Sequence, residues 1–184
     1  MEREGALRER LEELIALHAP LVDLALELLR DGEIAPEARV PLAAAAHYGA
    51  EKLDLIPDEF PAYGLVDDLF VLAIGLERTL EAAGEAGARY AGRELGGRPL
   101  RERFDEMRER FYGFWTFCDQ QTASFFADFD KAYRSDPAVL EAATDELARE
   151  RDGIAEATRE VRLEPEHVEQ FLARFRAFRA EDFA

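Results

Sequence analysis

A short aspartate-rich stretch separates two apolar segments in the first half of this chain. Residues 54–69 contain four aspartates, two prolines and one glycine. Proline interrupts a helix, whereas aspartate and glycine are preferred in tight turns. The stretch therefore predicts a sharp connection between two helices, and the chain must fold back on itself at this point.

The same stretch resembles the core motif of the YkvA-like family (domain of unknown function 1232). That family typically has Asp-Leu-Ile-Pro-Asp, then a few apolar residues with a proline, then a glycine and finally Asp-Asp-Leu. In this chain these parts are residues 54–58, Gly64 and residues 67–69. The resemblance implies an architecture, but it does not imply an activity.

The resemblance covers only a part of the chain, about residues 40–80. The chain departs from the family pattern at Glu51-Lys52, where the family usually has Ser-Pro. Residues 98–184 read as a helical C-terminal part that resembles no recognised family. Because no linker or repeat divides the sequence, we predict a single helical domain that spans residues 1–184.

Helix-forming residues dominate the whole sequence. No run alternates β-branched and polar residues, and Ala, Leu, Glu and Arg are the common residue types. We therefore predict an all-α fold, a compact helical bundle of six to eight helices without a sheet. In this prediction the fourth helix starts near Leu65, Gly96 and Gly97 stop it, and a long fifth helix runs from Pro99 to about Tyr133.

The predicted fifth helix carries a row of aromatic residues and forms the centre of the bundle. The residues that recur at helical spacing are Phe104, Phe111, Trp115, Cys118, Thr122, Phe125, Phe129 and Tyr133. Adjacent aromatic residues such as Phe111 and Tyr112 cannot share one face of a helix. Either the helix is surrounded on several sides, or the surplus is covered by a second subunit, by a partner or by the C-terminal helix with Phe171, Phe175 and Phe178. We expect Cys118 in this row to be a buried, inert thiol.

Charge and composition exclude several classes of function. The formal net charge is −17, so phosphate groups would be repelled and a nucleic-acid partner is not expected. One cysteine and an N-terminus without a signal-peptide pattern favour a cytoplasmic location. The longest strongly apolar stretch, Leu69 to Leu76, is much shorter than the ~20 residues of a membrane-spanning helix, so we expect no transmembrane segment.

The aspartates of the connection have a structural interpretation. Asp54 and Asp58 would accept hydrogen bonds from backbone amides in tight turns. Asp67 and Asp68 would lie in the first turn of the fourth helix, where the helix dipole favours negative charge. Each of these roles is common for aspartate, so this interpretation is the simpler one.

In the alternative interpretation the same carboxylates converge on a divalent cation such as Mg²⁺ or Ca²⁺. A histidine and a glutamate four residues apart on the third helix share one face and would extend the set towards a transition metal. The candidate metal ligands are Asp54, Asp58, Asp67 and Asp68, with His47 and Glu51. No cofactor other than such a cation is expected.

The sequence contains no recognisable catalytic signature, and we identify no catalytic residue. We therefore expect a non-enzymatic module for protein interaction or assembly, with a protein partner or self-association. The first alternative is a metal-dependent enzyme or cation-binding regulator that uses residues 54–68. The second is an acidic decoy for a basic partner, such as a nucleic-acid-binding protein.

Overall fold

The computed structural model describes residues 2–50, 55, 61–159, 161–164 and 166, and for residues 2–7 and 61–63 it describes the backbone alone. The helices are α1 (Glu2–Ile15), α2 (His18–Arg30), α3 (Pro36–Ala50), α4 (Pro61–Ala82), α5 (Glu85–Ala91), α6 (Leu100–Arg110), α7 (Tyr112–Ser135) and α8 (Ala138–Thr158). Two short strands, β1 (Glu94–Leu95) and β2 (Arg98–Pro99), lie between α5 and α6. The predicted all-α bundle is confirmed.

Helices α3 and α4 form the closest pair in the core. Residues Ala43–Ala46 of α3 are all buried. A Cβ atom added to Gly75 of α4 would lie 2.5 Å from the Cβ of Ala45 and 2.9 Å from the carbonyl oxygen of Pro41. The two backbones therefore approach to a distance that only small residues allow, which explains the alanine run and the buried glycine opposite it.

The aromatic helix is divided into two helices, so the prediction of one helix from Pro99 to Tyr133 was wrong. The break lies at Phe111, whose backbone angles are φ −128° and ψ 38°. The ring of Phe111 is buried and packs edge-on against Phe70 at 5.8 Å, whereas the neighbouring Tyr112 is 61% exposed. Phe111 therefore faces the core at the break, whereas Tyr112, the first residue of α7, faces away from it.

Side chains of α3 and α4 also pack against aromatic residues further along α7. The Phe125 ring packs edge-on against Tyr48 at 5.6 Å, and the Phe129 ring lies 5.6 Å from His47. The guanidinium of Arg78 stacks over the ring of Phe126 at 4.8 Å. Among the described residues Tyr112 is the exposed large hydrophobic side chain. The predicted cover by Phe171 and Phe175 of the C-terminal helix lies outside the described residues.

The prediction of a fold without any sheet was wrong in one detail, because β1 and β2 pair as a small antiparallel ribbon. Glu94 pairs with Pro99 and Leu95 with Arg98. Gly96 and Gly97 form the turn with φ values of +57° and +76°, as a two-residue hairpin turn requires. Strands of two residues are too short to show alternation, so in the sequence these glycines indicate only the end of a helix.

Candidate functional site

The aspartate-rich connection joins the end of α3 to the start of α4, and Leu55 is the described residue within it. Helix α4 begins at Pro61 rather than near Leu65, because proline is well suited to the first position of a helix. Asp67 and Asp68 therefore lie in the second turn, and the first turn holds no acidic residue. Their predicted interaction with the helix dipole was wrong.

Asp67 is instead a buried acceptor that holds the connection in place. Its side chain is fully buried, and its Oδ2 accepts a hydrogen bond of 2.9 Å from the backbone N–H of Leu55. The hydroxyl of Tyr48 donates to the same oxygen at 3.5 Å, and the Leu55 N–H also lies 3.0 Å from the Tyr48 oxygen. A buried carboxylate is costly unless hydrogen bonds satisfy it, so these contacts tie α3, the connection and α4 together.

The protonation of the neighbouring groups follows from the same burial. Burial, and next to it the charge of Asp67, raises the pKa of the Tyr48 hydroxyl, which therefore stays protonated and available as a donor. Burial is also the main reason why the pKa of the Cys118 thiol is raised, with Asp67 as the next cause. The prediction that Cys118 is buried is confirmed, and the raised pKa disfavours the thiolate, which is the reactive form of cysteine.

We call Asp67, Tyr48 and the backbone N–H of Leu55 the buried anchor. The other described candidates take different positions around it. Asp68 lies beside the end of α3, since a Cβ atom added to Gly49 would be 3.7 Å from its Oδ1. His47 lies on α3, and its Nδ1 is 3.1 Å from Oε2 of Glu146 on α8. The His47 side chain is 32% exposed and connects α3 to α8 at the edge of the aromatic row.

The metal hypothesis concerns residues that are only partly described. Glu51, Asp54 and Asp58 lie outside the described residues, so their convergence with Asp67 and Asp68 stays a prediction. Within the described ranges, no three His, Cys, Asp or Glu side chains are grouped so that they would hold a metal ion. Asp67, the buried carboxylate of the described part of the site, has a structural role, because it accepts a hydrogen bond from a backbone amide.

A second feature, which the sequence analysis did not identify, is a groove between α1 and the residues at the end of α8. Its volume is about 580 Å³. We call it the α1–α8 groove, and its lining residues are Glu9, Glu12, Glu13, Ala16, Thr158, Arg159, Val161 and Arg162.

The three glutamates of the α1–α8 groove have different roles. Glu12 is largely buried and accepts a hydrogen bond of 2.8 Å from the backbone N–H of Leu163. It also forms an ion pair of 3.3 Å with Arg162. Glu9 and Glu13 are exposed, and no ion pair joins either of them to another described residue. Glu12 thus fixes the wall after α8, while Glu9 and Glu13, four residues apart, present two carboxylates on one face of α1.

Comparison with protein-family models identifies the segment around the anchor. Residues 38–74 match the model described as "Protein of unknown function (DUF1232)", which confirms the resemblance for a partial segment of the chain. This segment contains Tyr48, Leu55 and Asp67, so the buried anchor lies within the matched region. The chain matched no curated protein and no solved structure. In the described residues, no helix combines the length and apolar character that a membrane crossing requires.

Tyr48 is the residue of the anchor that the sequence analysis missed. Tyr48 comes two residues after a run of alanines in α3, and a large side chain with a polar tip next to such small residues is a signal for a buried hydroxyl that needs a partner. The pair Glu9 and Glu13 carried no such signal, because Arg8 and Arg10 flank Glu9 and Arg10 also stands three residues before Glu13.

Proposed function

We propose that the protein is a non-enzymatic interaction module that binds a basic segment of a partner protein in the α1–α8 groove. The observation that carries this proposal is the groove itself, in which Glu9 and Glu13, without an ion-pair partner among the described residues, stand beside apolar surface of a strongly acidic chain.

The charge balance of the chain supports a basic partner. The sequence has 40 acidic and 23 basic residues, so many carboxylates have no cationic counterpart within the chain. Arginines such as Arg78, Arg93 and Arg151 are already held in ion pairs of 2.7 Å with carboxylates of other helices. Two copies of such a chain repel each other, whereas a basic partner is attracted and steered towards it. The charge therefore favours a different protein over self-association.

The composition of the groove fits a segment that is both basic and apolar. Glu9 and Glu13 line one side, and Ala16 and Val161 add apolar surface between the charged walls. A basic amphipathic helix presents cations on one face and apolar side chains beside them, so it can use both kinds of surface at once. Arg159, on the other wall, would favour an acidic residue at one edge of the bound segment.

The interior of the bundle supports a binding role rather than a catalytic one. His18, Tyr48 and Cys118 are each at most 3% exposed, so these groups do not meet a dissolved substrate. Burial lowers the pKa of His18 to about 4 and raises the pKa of both Tyr48 and Cys118. All three groups are thus held in their uncharged forms at neutral pH.

The test is a titration of the protein with a synthetic arginine-rich amphipathic peptide at several salt concentrations. We expect saturable binding that weakens as the salt concentration rises, because exposed charges are screened. The double variant Glu9→Lys/Glu13→Lys should weaken the binding by about tenfold or more, since both favourable charges become repulsive.

The chain offers a matched control on α8. Glu141 and Asp145 are also exposed, four residues apart and on one helix face. At about 1.5 Å per residue, Asp145 lies about 20 Å along α8 from the groove. Glu141→Lys/Asp145→Lys changes the net charge by the same amount, and we expect it to have a much smaller effect. Equal losses in the two double variants, or a wild-type protein that does not bind the peptide, would contradict the proposal.

A further inference from the structure

Three arginines converge on one glutamate at the surface formed by β2 and α6. Arg98 and Arg103 each place an Nη1 atom 3.1 Å from Oε2 of Glu106, and Arg110 places its Nη2 atom 2.9 Å from Oε1. The Glu106 side chain is 19% exposed, so it lies below the arginines that surround it. One carboxylate balances only one of the three guanidinium charges, and the arrangement holds like charges close together.

A narrow crevice next to this cluster adds one more arginine and one more glutamate. Arg10 and Glu13 of α1 line it together with Arg103, Glu106 and Arg110. Arg10 has no ion-pair partner among the described residues. The cluster and the crevice together therefore carry four guanidinium groups and two carboxylates, and this is a local surplus of positive charge on an acidic protein.

The three arginines around Glu106 are not equivalent as donors. Arg103 is committed to the fold, because its Nε donates to the Leu95 carbonyl at 3.0 Å and its Nη2 to the Gly96 carbonyl at 2.7 Å. Arg98 and Arg110 have Glu106 as their ion-pair partner among the described residues, and their side chains are 54% and 44% exposed. A guanidinium group has five N–H donors, so both arginines keep several donors for a ligand.

We propose that Arg98 and Arg110, with Arg10 at the crevice, bind an oxyanion of the phosphate class. Guanidinium groups match the tetrahedral oxygens of phosphate with paired, charge-assisted hydrogen bonds. Glu106 holds the two arginines in position before the ligand arrives, which lowers the cost of ordering them. The crevice has a volume of about 20 Å³, which is room for about one water molecule, so the ligand lies across its rim.

The acidic charge elsewhere on the protein does not exclude this site. At physiological ionic strength the screening length is about 8 Å, so the exposed carboxylates on distant faces contribute little at the cluster. Glu13 lines both this crevice and the α1–α8 groove, but neither Arg98 nor Arg110 lines the groove, so the loss of these two arginines tests the anion site by itself.

The test is a calorimetric titration with inorganic pyrophosphate at constant ionic strength. We expect saturable binding by the wild-type protein and an affinity at least about tenfold lower for Arg98→Gln/Arg110→Gln, because the variant lacks two guanidinium charges that would bind the anion. The matched control is Arg134→Gln/Arg149→Gln, which removes two exposed arginines of α7 and α8. The control should bind as the wild type does.

A second variant separates a ligand site from a merely structural cluster. Glu106→Gln removes the carboxylate that competes with the ligand, so we expect it to bind pyrophosphate several-fold more tightly. Damage to the fold would weaken binding instead. No saturable binding by the wild type, equal losses in the variant and its control, or unchanged or weaker binding by Glu106→Gln would overturn the proposal.

The titration also identifies the source of the phosphate group. A phosphoserine peptide that binds more tightly than pyrophosphate would assign the site to a phosphorylated chain, and the reverse order would assign it to a free phosphate compound. In both cases the loss of binding in Arg98→Gln/Arg110→Gln is required.

Discussion

The substitution Gly75→Ala tests the close packing of α3 against α4. The added methyl group would meet the Cβ of Ala45 at 2.5 Å, the carbonyl oxygen of Pro41 at 2.9 Å and the Cα of Leu42 at 3.3 Å. Two of these three atoms belong to the α3 backbone, so no change of side-chain rotamer can relieve the clash. The helices must move apart, and the contacts between them become weaker.

The expected size of the effect is the difference between two opposing contributions. Overpacking of a tight core typically costs about 1–3 kcal/mol. Replacing glycine by alanine within a helix gains up to about 1 kcal/mol. We therefore expect the free energy of unfolding to fall by about 1–2 kcal/mol, and Tm to fall by roughly 2–8 °C for a chain of this size.

The measurement is thermal and urea unfolding of Gly75→Ala beside Gly153→Ala. Gly153 is an exposed residue within α8, and a Cβ atom added there would have no heavy atom within 4 Å. Gly153→Ala makes the same chemical change without the clash. We therefore expect this variant protein to be more stable than the wild type by about 0.5–1 kcal/mol. Adding Ala45→Gly to Gly75→Ala should recover part of the loss. A Gly75→Ala protein as stable as Gly153→Ala would refute the packing described for α3 and α4.

Four further predictions concern single groups and the chain end. Tyr48→Phe removes the buried hydroxyl of the anchor and should lower the free energy of unfolding by about 1–2 kcal/mol; an unchanged urea midpoint would show that the hydroxyl is not needed. Burial lowers the folded-state pKa of His18 from 6.5 to about 4, so the unfolded chain takes up its proton first as the pH falls. The stability that depends on neutral His18 should therefore be complete above pH 6.5 and decrease towards pH 4, by about 3 kcal/mol. His18→Leu should lack this decrease, and parallel stability curves for the two proteins would contradict it. Deletion of the residues after Leu163 should cause aggregation or dye binding, whereas a monomeric and equally stable product would show that the C-terminal segment covers nothing. Asp54→Ala and Asp58→Ala should each cost about 1–2 kcal/mol, and unchanged melting temperatures together with a stoichiometric cation in the wild type would favour the metal hypothesis.

The helical part of the fold could be predicted because helices are specified locally. Spacing of apolar residues, and prolines near helix starts such as Pro36, depend on a few neighbouring positions. The break at Phe111 could not be predicted in this way, because the helical spacing of aromatic residues continues from Phe104 through Phe111 to Trp115 without interruption. The hairpin at Gly96 and Gly97 was missed because its strands are too short to show a pattern.

The candidate site was predicted in part. The sequence correctly directed attention to the connection before α4, but it placed Asp67 at a helix terminus rather than in the core. The error came from the predicted start of α4 near Leu65. Because α4 starts at Pro61, Asp67 lies in the second turn, where its carboxylate is buried and accepts a hydrogen bond from the Leu55 N–H. Contacts between Tyr48 and Asp67 depend on how two helices pack, which no local pattern contains.

The most direct test of the central claim is a map of where the basic peptide binds. Backbone amide chemical shifts of the isotope-labelled protein, recorded while the arginine-rich peptide is added, report each residue separately. We expect the largest changes at the residues that line the groove, namely Glu9, Glu12, Glu13, Ala16, Thr158, Arg159, Val161 and Arg162. Changes that spread evenly over all acidic faces, or that centre on the exposed Tyr112 instead, would contradict the central claim.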